Sequence, residues 1–338
     1  MKKSILLGVL TLAGALLPVS AQGLQDGERN HKFEFESNGN PVIRHIHTAD
    51  PAALVEGDTL WLFTSHDNGG NLKGCNITDW QLFSTTDMKR WTHYPCPLRL
   101  SDFVWAKGGD AYATQAVKRN GKYYWYISTN RHGIGVAVSD RPEGPYKDAI
   151  GKPLLTNDHC FDSKHYWACI DPTVIVDDDG QAYLLWGNKQ CYIVKLKDNM
   201  IETEGEVRRI ELSDKYPFEE APWIHKCAGK YYLTYACGFP EKIAYAVADN
   251  IMGPYEQKGI ISEIAGNSCS THPSVVKFKG HWIFFSHNGA LPDGGNFSRS
   301  IIAEPLHHNP DGTIQKIHPS TEGFSFQENG RGRKRRRQ

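Results

Sequence analysis

Residues 170–187, IDPTVIVDDDGQAYLLWG, decide the fold. An acid and a proline open the stretch, a short β-branched run follows, a turn carrying Gly180 interrupts it, and an aromatic-rich run closes it. Two such runs around a glycine turn read as a β-hairpin. The pattern returns as ADPAALVEGDTLWLFTS (49–65), APWIHKCAGKYYLTYA (221–236) and HPSVVKFKGHWIFFSH (272–287). A variant without the proline, ATQAVKRNGKYYWYIS, occupies 113–128. The second runs centre near Trp61, Tyr124, Leu184, Tyr232 and Ile283, 48 to 63 residues apart. Further strand-like runs follow at 133–140, 191–196 and 242–249, and Gly-Pro-Tyr closes two units at 144–146 and 253–255. Five units of about four short strands each predict an all-β chain folded as a five-bladed β-propeller. An irregular β-sandwich leaves the five returns unexplained.

The remaining segments flank this repeat. Lys2 and Lys3 precede an apolar run, and Val19-Ser20-Ala21 has the small residues of a cleavage site, so 1–21 reads as an export signal cut near Ala21. The propeller is expected over 22–325, and 326–338 reads as a basic, disordered tail. The protein is therefore expected to be exported, periplasmic or extracellular. No later stretch approaches the roughly 18 consecutive apolar residues of a membrane span. The 38 basic and 38 acidic residues cancel, but eight of the basic ones lie in the leader and tail. The folded body is thus acidic, which argues against nucleic acid as its partner. Of eight cysteines none forms a C-x-x-C pair, and most are expected to be buried and unpaired.

In a propeller the first strand of each blade lines the axis, so residues that open the blades meet there. These are Asp50, Asp171, Glu220 and His272. Carboxyl groups crowded in a partly desolvated funnel oppose one another's ionisation, which separates an acid from a base. Glycosidic cleavage requires that pair: one protonated carboxyl for the leaving oxygen, one carboxylate for the anomeric carbon or a water. Glu220, beside Ala221, Pro222 and Trp223, suits the donor, and strand alternation turns Glu219 to the other face. Asp50 suits the base. Asp171 is placed between them, orienting the substrate and raising the pKa of Glu220 by its charge.

The motifs TADPAALV (48–55), CIDPTVIV (169–176), FEEAPWIHK (218–226) and STHPSVVKFKGHW (270–282), in that order, resemble glycoside hydrolase family 43. The resemblance implies a five-bladed propeller and an inverting mechanism with Asp50 as general base, Glu220 as general acid and Asp171 as pKa modulator. Inversion implies carboxyl groups about 6.5–9.5 Å apart. It also implies His272 in the central cavity, as a sugar contact and a ligand of a structural Ca²⁺ or similar ion held mainly by water, with no cofactor required for the chemistry. Arg299, in NFSRSIIAEPL (296–306), matches an arginine set against the sugar beside the cleaved bond. Trp105 and Trp223 are expected to stack on sugar rings.

Family resemblance further implies an oligo- or polysaccharide substrate: xylan, arabinoxylan or arabinan. The favoured activity is an exo-acting β-xylosidase releasing pentoses from hemicellulose fragments, because the long segments 66–80, 100–112 and 156–168 would close the funnel into a pocket. The alternatives are an α-L-arabinofuranosidase, an endo-arabinanase, or a non-catalytic carbohydrate-binding propeller. Thr48-Ala49-Asp50-Pro51-Ala52 and Ile170 before Asp171 depart from fructan-cleaving propellers.

Overall fold

The computed structural model describes residues 31–68 and 77–326. The expected leader, most of the basic tail and Cys75 lie outside the described residues. Twenty strands form five antiparallel sheets arranged as the blades of a propeller. Blade 1 holds β2 (Thr48–Glu56), β3 (Thr59–His66), β4 (Asp79–Thr85) and β5 (Arg90–Arg99), with β1 (Phe33–Glu36) added at its outer edge. Blade 2 holds β6 (Ala111–Arg119), β7 (Lys122–Thr129), β8 (Gly133–Ser139) and β9 (Lys147–Asp148). Blade 3 holds β10 (Thr173–Val176), β11 (Ala182–Trp186), β12 (Cys191–Leu196) and β13 (Thr203–Ile210). Blade 4 holds β14 (Phe218–Cys227), β15 (Lys230–Cys237), β16 (Lys242–Ala248) and β17 (Glu256–Ser262). Blade 5 holds β18 (Ser274–Phe278), β19 (His281–Asn288) and β20 (Ser300–Pro305).

The innermost strands β2, β6, β10, β14 and β18 each touch the next around the axis, and β18 touches β2. Blades pack through the aromatic residues of their second strands, among them Tyr124, Tyr126 and Tyr232. Tyr126, Tyr232, Trp125 and Trp186 are fully buried. Polar tips of buried rings find partners within and between blades, Trp125 Nε1 donating to Thr114 of its own blade. Tyr126 Oη donates to the Met200 carbonyl at 2.7 Å, and Trp80 Nε1 donates to the Tyr112 carbonyl at 2.8 Å. Such pairing is what lets a large amphipathic ring be buried without a desolvation penalty. All seven described cysteines are free, five of them buried. Among the described residues no helix is long and apolar enough to cross a membrane.

Blade 5 has three strands rather than four, and the chain's two ends complete it. The Val42 N–H donates to the Ile301 carbonyl at 2.8 Å, and the Phe324 N–H to the Ala303 carbonyl at 2.7 Å. Buried Asn40 ties the three segments. Its Nδ2 donates to Glu304 Oε1 at 2.8 Å and the Ser320 carbonyl at 2.9 Å, while its Oδ1 accepts the Ala303 N–H at 2.9 Å. Asn40→Ala leaves these buried groups unsatisfied and is expected to cost about 2 kcal/mol or more. Urea unfolding of the variant checks this, with turnover at 25 °C expected to remain that of the unaltered protein.

Candidate active site

The sequence places an unusual backbone at the head of three first strands. Asp50, Asp171 and Ala221 each precede a proline and each adopt positive φ, at 52°, 58° and 56°. A non-glycine residue in this region costs about 1–3 kcal/mol and persists only where surroundings enforce it. The register of β2 with β3 slips between Ala49 and Ala52, and that of β14 with β15 slips between Glu220 and Trp223. These are β-bulges, which bend a strand and re-aim its side chains. In blades 1 and 3 the acid occupies the positive-φ position, whereas in blade 4 Ala221 takes it and Glu220 stands one residue earlier. The corresponding irregularity in β6, between Tyr112 and Thr114, holds Ala113 rather than an acid.

Asp50 is buried and closely partnered. The Ser65 hydroxyl donates to its Oδ2 at 2.6 Å, and Arg299 Nη1 donates to its Oδ1 at 3.1 Å. His287 Nδ1 stands 3.4 Å and His272 Nδ1 3.9 Å from the same Oδ1. Burial alone would push the Asp50 carboxyl up, but Arg299, the two histidines and Ser65 outweigh it and hold it at about 2. Burial pushes His272 down to about 4 and His287 to about 3, so both rings are neutral at pH 7. The Arg299 guanidinium is therefore the cation that keeps Asp50 ionised there. His287 Nδ1 also accepts the Asp50 N–H at 3.2 Å, which assigns its proton to Nε2. Asp67 fixes Arg299, accepting Nε at 2.8 Å and Nη2 at 2.9 Å in a bidentate pair and the Arg299 backbone N–H at 2.9 Å.

Across the axis the balance reverses. Burial pushes the half-buried Glu220 up, and the Asp50 and Glu219 charges add to it, against Asn188 and Glu241, which bond the side chain. Asn188 Nδ2 donates to Glu220 Oε2 at 2.6 Å. Burial, then the Glu220 and Asp50 charges, drive Asp171 well above the usual carboxylate range. Asp171 Oδ2 accepts the Ala221 N–H at 3.0 Å, tying it to the blade-4 bulge. The charge first expected on Asp171 is thus not the leading cause of the Glu220 shift; burial and Asp50 are. Glu219 faces away, paired with Lys189, as strand alternation requires.

Asp50, Asp171, Glu220, His272 and Arg299 therefore meet at one end of the axis. The two tryptophans do not join them. Trp223 is 4% exposed, and its Nε1 donates to the Val275 carbonyl at 2.9 Å, so its ring is core between blades 4 and 5 and not a sugar platform. The bulge at 221–222 is the reason, since it turns the residue after it to the inter-blade face. Trp105 lies over the outer strands of blade 2, its Nε1 donating to Asp148 of β9 at 3.0 Å, away from the acids. The turn that carries Glu241 exposes an aromatic ring, that of Phe239, which is 68% exposed. Among the described residues no group of three or more His, Cys, Asp or Glu side chains could hold a metal ion. His272 would then be the sole protein ligand of an ion otherwise held by water, and no chemical step requires one.

Sequence reasoning missed Ser65, Asp67, Asn188, Glu241 and His287. Ser65, Asp67, Asn188 and His287 lie at or just beyond the end of a second strand, and Glu241 directly precedes the third strand of blade 4. Polar triplets close three of these strands, Ser65-His66-Asp67, Ser128-Thr129-Asn130 and Ser286-His287-Asn288, and that recurrence was a readable signal.

The sequence profile described as Glycosyl hydrolases family 43 matches residues 38–314. The xylosidase/arabinosidase 43A of Humicola insolens is 32% identical over 81% of this chain and 98% of its own length. The β-xylosidase/α-arabinofuranosidase CoXyl43 from a compost microbial metagenome, solved with xylotriose in a calcium-free form, superposes with a TM-score of 0.75. It is 29% identical, covering 85% of this chain and 99% of that one. An enzyme from Xanthomonas citri complexed with xylose gives a TM-score of 0.76 at 28% identity, over 86% of this chain and 96% of that one.

Because the Asp171 carboxyl is pushed up, the folded state keeps a proton that the unfolded chain releases near pH 4. Its contribution to stability is favourable below that pH and is lost as pH rises towards the folded pKa. Asp171→Asn escapes this loss, so its stability relative to the unaltered protein is expected to improve between pH 5 and 8. The gain is about 1.4 kcal/mol for each pH unit over which only the native aspartate holds the proton. Thermal unfolding of both proteins across that range gives the difference; a constant difference would mean Asp171 titrates normally.

Proposed function

The chain belongs to glycosyl hydrolase family 43 and is a glycoside hydrolase, and from that premise we propose that it is an exo-acting, inverting β-xylosidase with Asp50 as base and Glu220 as acid. One observation carries the assignment: within a single axial cluster, Asp50 is held ionised while Glu220 is pushed towards the protonated form. A base must be ionised and an acid protonated at the same pH, and here the environment separates two chemically similar groups in that sense.

The Asp50 carboxylate takes a proton from a water molecule as its oxygen attacks the anomeric carbon from the face opposite the leaving group. The bond to the leaving oxygen breaks, and Glu220 supplies that oxygen with its proton. Afterwards Asp50 returns a proton to solvent and Glu220 takes one up. Arg299, fixed by Asp67, presents N–H donors beside Asp50, where hydroxyls of the sugar at the cleaved bond are to be held. His272, neutral and buried, lines the same cavity. Asp171 orients the sugar, and as a protonated carboxyl it donates a hydrogen bond to it. Xylose and xylotriose bound in similar enzymes support a xylosidic substrate. Export is supported by the leader at 1–21 and the catalytic unit by the repeats within 22–325.

An α-L-arabinofuranosidase is the second reading, favoured by the arabinosidase half of the Humicola relative's name. Hydrolysis of aryl β-D-xylopyranoside and aryl α-L-arabinofuranoside, followed by proton NMR, separates them. The xyloside is expected to be the better substrate and to release α-xylose first. Asp50→Asn and Glu220→Gln are expected to lower turnover by about 10²–10⁴-fold on substrates with poor leaving groups. Release of β-xylose would overturn inversion, and faster arabinofuranoside hydrolysis would move the assignment to the second reading.

A further inference from the structure

The segment Gly187-Asn188-Lys189, just past the end of β11, reaches from blade 3 to blade 4 and is fastened at every residue. The Gly187 N–H donates to the Ile170 carbonyl at 2.9 Å, the Asn188 N–H to the Ala168 carbonyl at 3.1 Å, and the Lys189 N–H to the Glu219 carbonyl at 2.6 Å. The Ser163 hydroxyl donates to the Asn188 carbonyl at 3.3 Å. Gly187 has φ 133°, where a Cβ would strike the Gln190 carbonyl, and Lys189 has φ 64°. Backbone of this kind persists only where its surroundings enforce it. Asn188 is thus held rigidly beside Glu220.

Asn188 is 2% exposed, and its amide is only half used. Nδ2 donates to Glu220 Oε2 at 2.6 Å, whereas Oδ1 is buried and accepts no hydrogen bond among the described residues. A buried amide oxygen without a donor is a cost to the fold. Stability alone therefore gives no reason for an asparagine here, and the contact with Glu220 does. A carboxyl oxygen that accepts a short N–H bond is a poor seat for a proton. In the protonated acid the O–H then belongs to the other oxygen, Oε1. We propose that Asn188 is a positioning residue that reserves Glu220 Oε2 and so fixes the transferable proton on Oε1. This rests on the reading of Glu220 as acid.

In the reaction the O–H bond at Glu220 Oε1 breaks and its electron pair stays on the carboxyl group. The proton goes to the leaving oxygen, which takes the electron pair of its broken bond to the anomeric carbon. The Asn188 N–H bond strengthens at that moment, because its acceptor now shares a negative charge. Asn188 accordingly favours the ionised form of Glu220, against burial and the Asp50 and Glu219 charges. The other acids that act on Glu220 have partners of their own. Asp50 pairs with Arg299 at 3.1 Å and Glu219 with Lys189. Asp171 accepts the Ala221 N–H at 3.0 Å, and Glu241 accepts the Thr271 N–H at 2.7 Å. None of these contacts is made by the side chain of residue 188.

Asn188→Ala removes the donor, and aryl glycosides of whichever pentose the protein hydrolyses faster read the effect. On the phenyl glycoside, whose leaving oxygen needs a proton, kcat is expected to fall about 10–100-fold. On the 2,4-dinitrophenyl glycoside, whose phenolate leaves unaided, the loss is expected to be about threefold at most, which also reports an intact fold. Without the N–H the Glu220 carboxylate is less favoured, so the alkaline limb of kcat/KM on the phenyl glycoside is expected to rise by about half to one pH unit. Equal losses on the two glycosides would make Asn188 a merely structural residue and overturn the proposal. So would a limb that stays in place, or one that falls, which would mean that the amide accepts from Glu220 rather than donating to it. Glu220→Ala separates the underlying reading: equal losses on both glycosides in that variant would remove Glu220 as the acid.

Discussion

The site depends on the hydrogen bonds that join each first strand to the blade before it. His287, Ser128 and Glu241 each take up the N–H at a blade opening, and Asn188 reaches from blade 3 to the Glu220 side chain. The openings of blades 1, 3 and 4 carry positive φ at Asp50, Asp171 and Ala221. No isolated hairpin would hold that conformation, since its cost of about 1–3 kcal/mol per residue must be outweighed by contacts made elsewhere. The ring of blades is what makes it stable. The geometry of the acid cluster is thus a property of the closed propeller rather than of any one strand.

The same ring sorts charge across a narrow axis. One side has the Arg299 guanidinium, clamped by Asp67, and there Asp50 ionises readily. The other side gathers the buried Asp171 and Glu241 and the half-buried Glu220, all disfavoured as anions. The two histidines near Asp50 add bulk, and His287 a hydrogen bond, but no charge at neutral pH, because burial holds both rings down to about 3 and 4. A buried cation on one side and low solvent access on the other are enough to make similar carboxyl groups behave oppositely.

The blade count and the meeting of Asp50, Asp171, Glu220 and His272 were legible in the sequence, because four of the five units open with an acid or histidine at or next to a proline, while Arg299 was reached through the family resemblance. What failed was the reading of face. Trp223 follows a bulge, and one extra residue in a strand moves every later side chain to the other side. Nothing in Ala221-Pro222 announces how many residues the bulge absorbs. Trp105 was misplaced because the connection before β6 folds back over Gly135 and Asp148, a tertiary choice without local signature. The partner residues at second-strand ends were passed over as ordinary turn polarity, since their meaning appears only when neighbouring blades are set side by side.

Asn40 and the β20 edge have a consequence in time. Asp50 lies near the start of the described chain, while His272, His287 and Arg299 belong to its last blade. During synthesis the first four blades can form while Asp50 still lacks its cation and its neutral ring neighbours. The long loop that brings residue 299 back to residue 50 must close before any of these contacts rewards it. A growing chain therefore carries its acids in an unsorted state, and hydrolytic competence arrives in a single late step, when the last blade docks between the first and fourth.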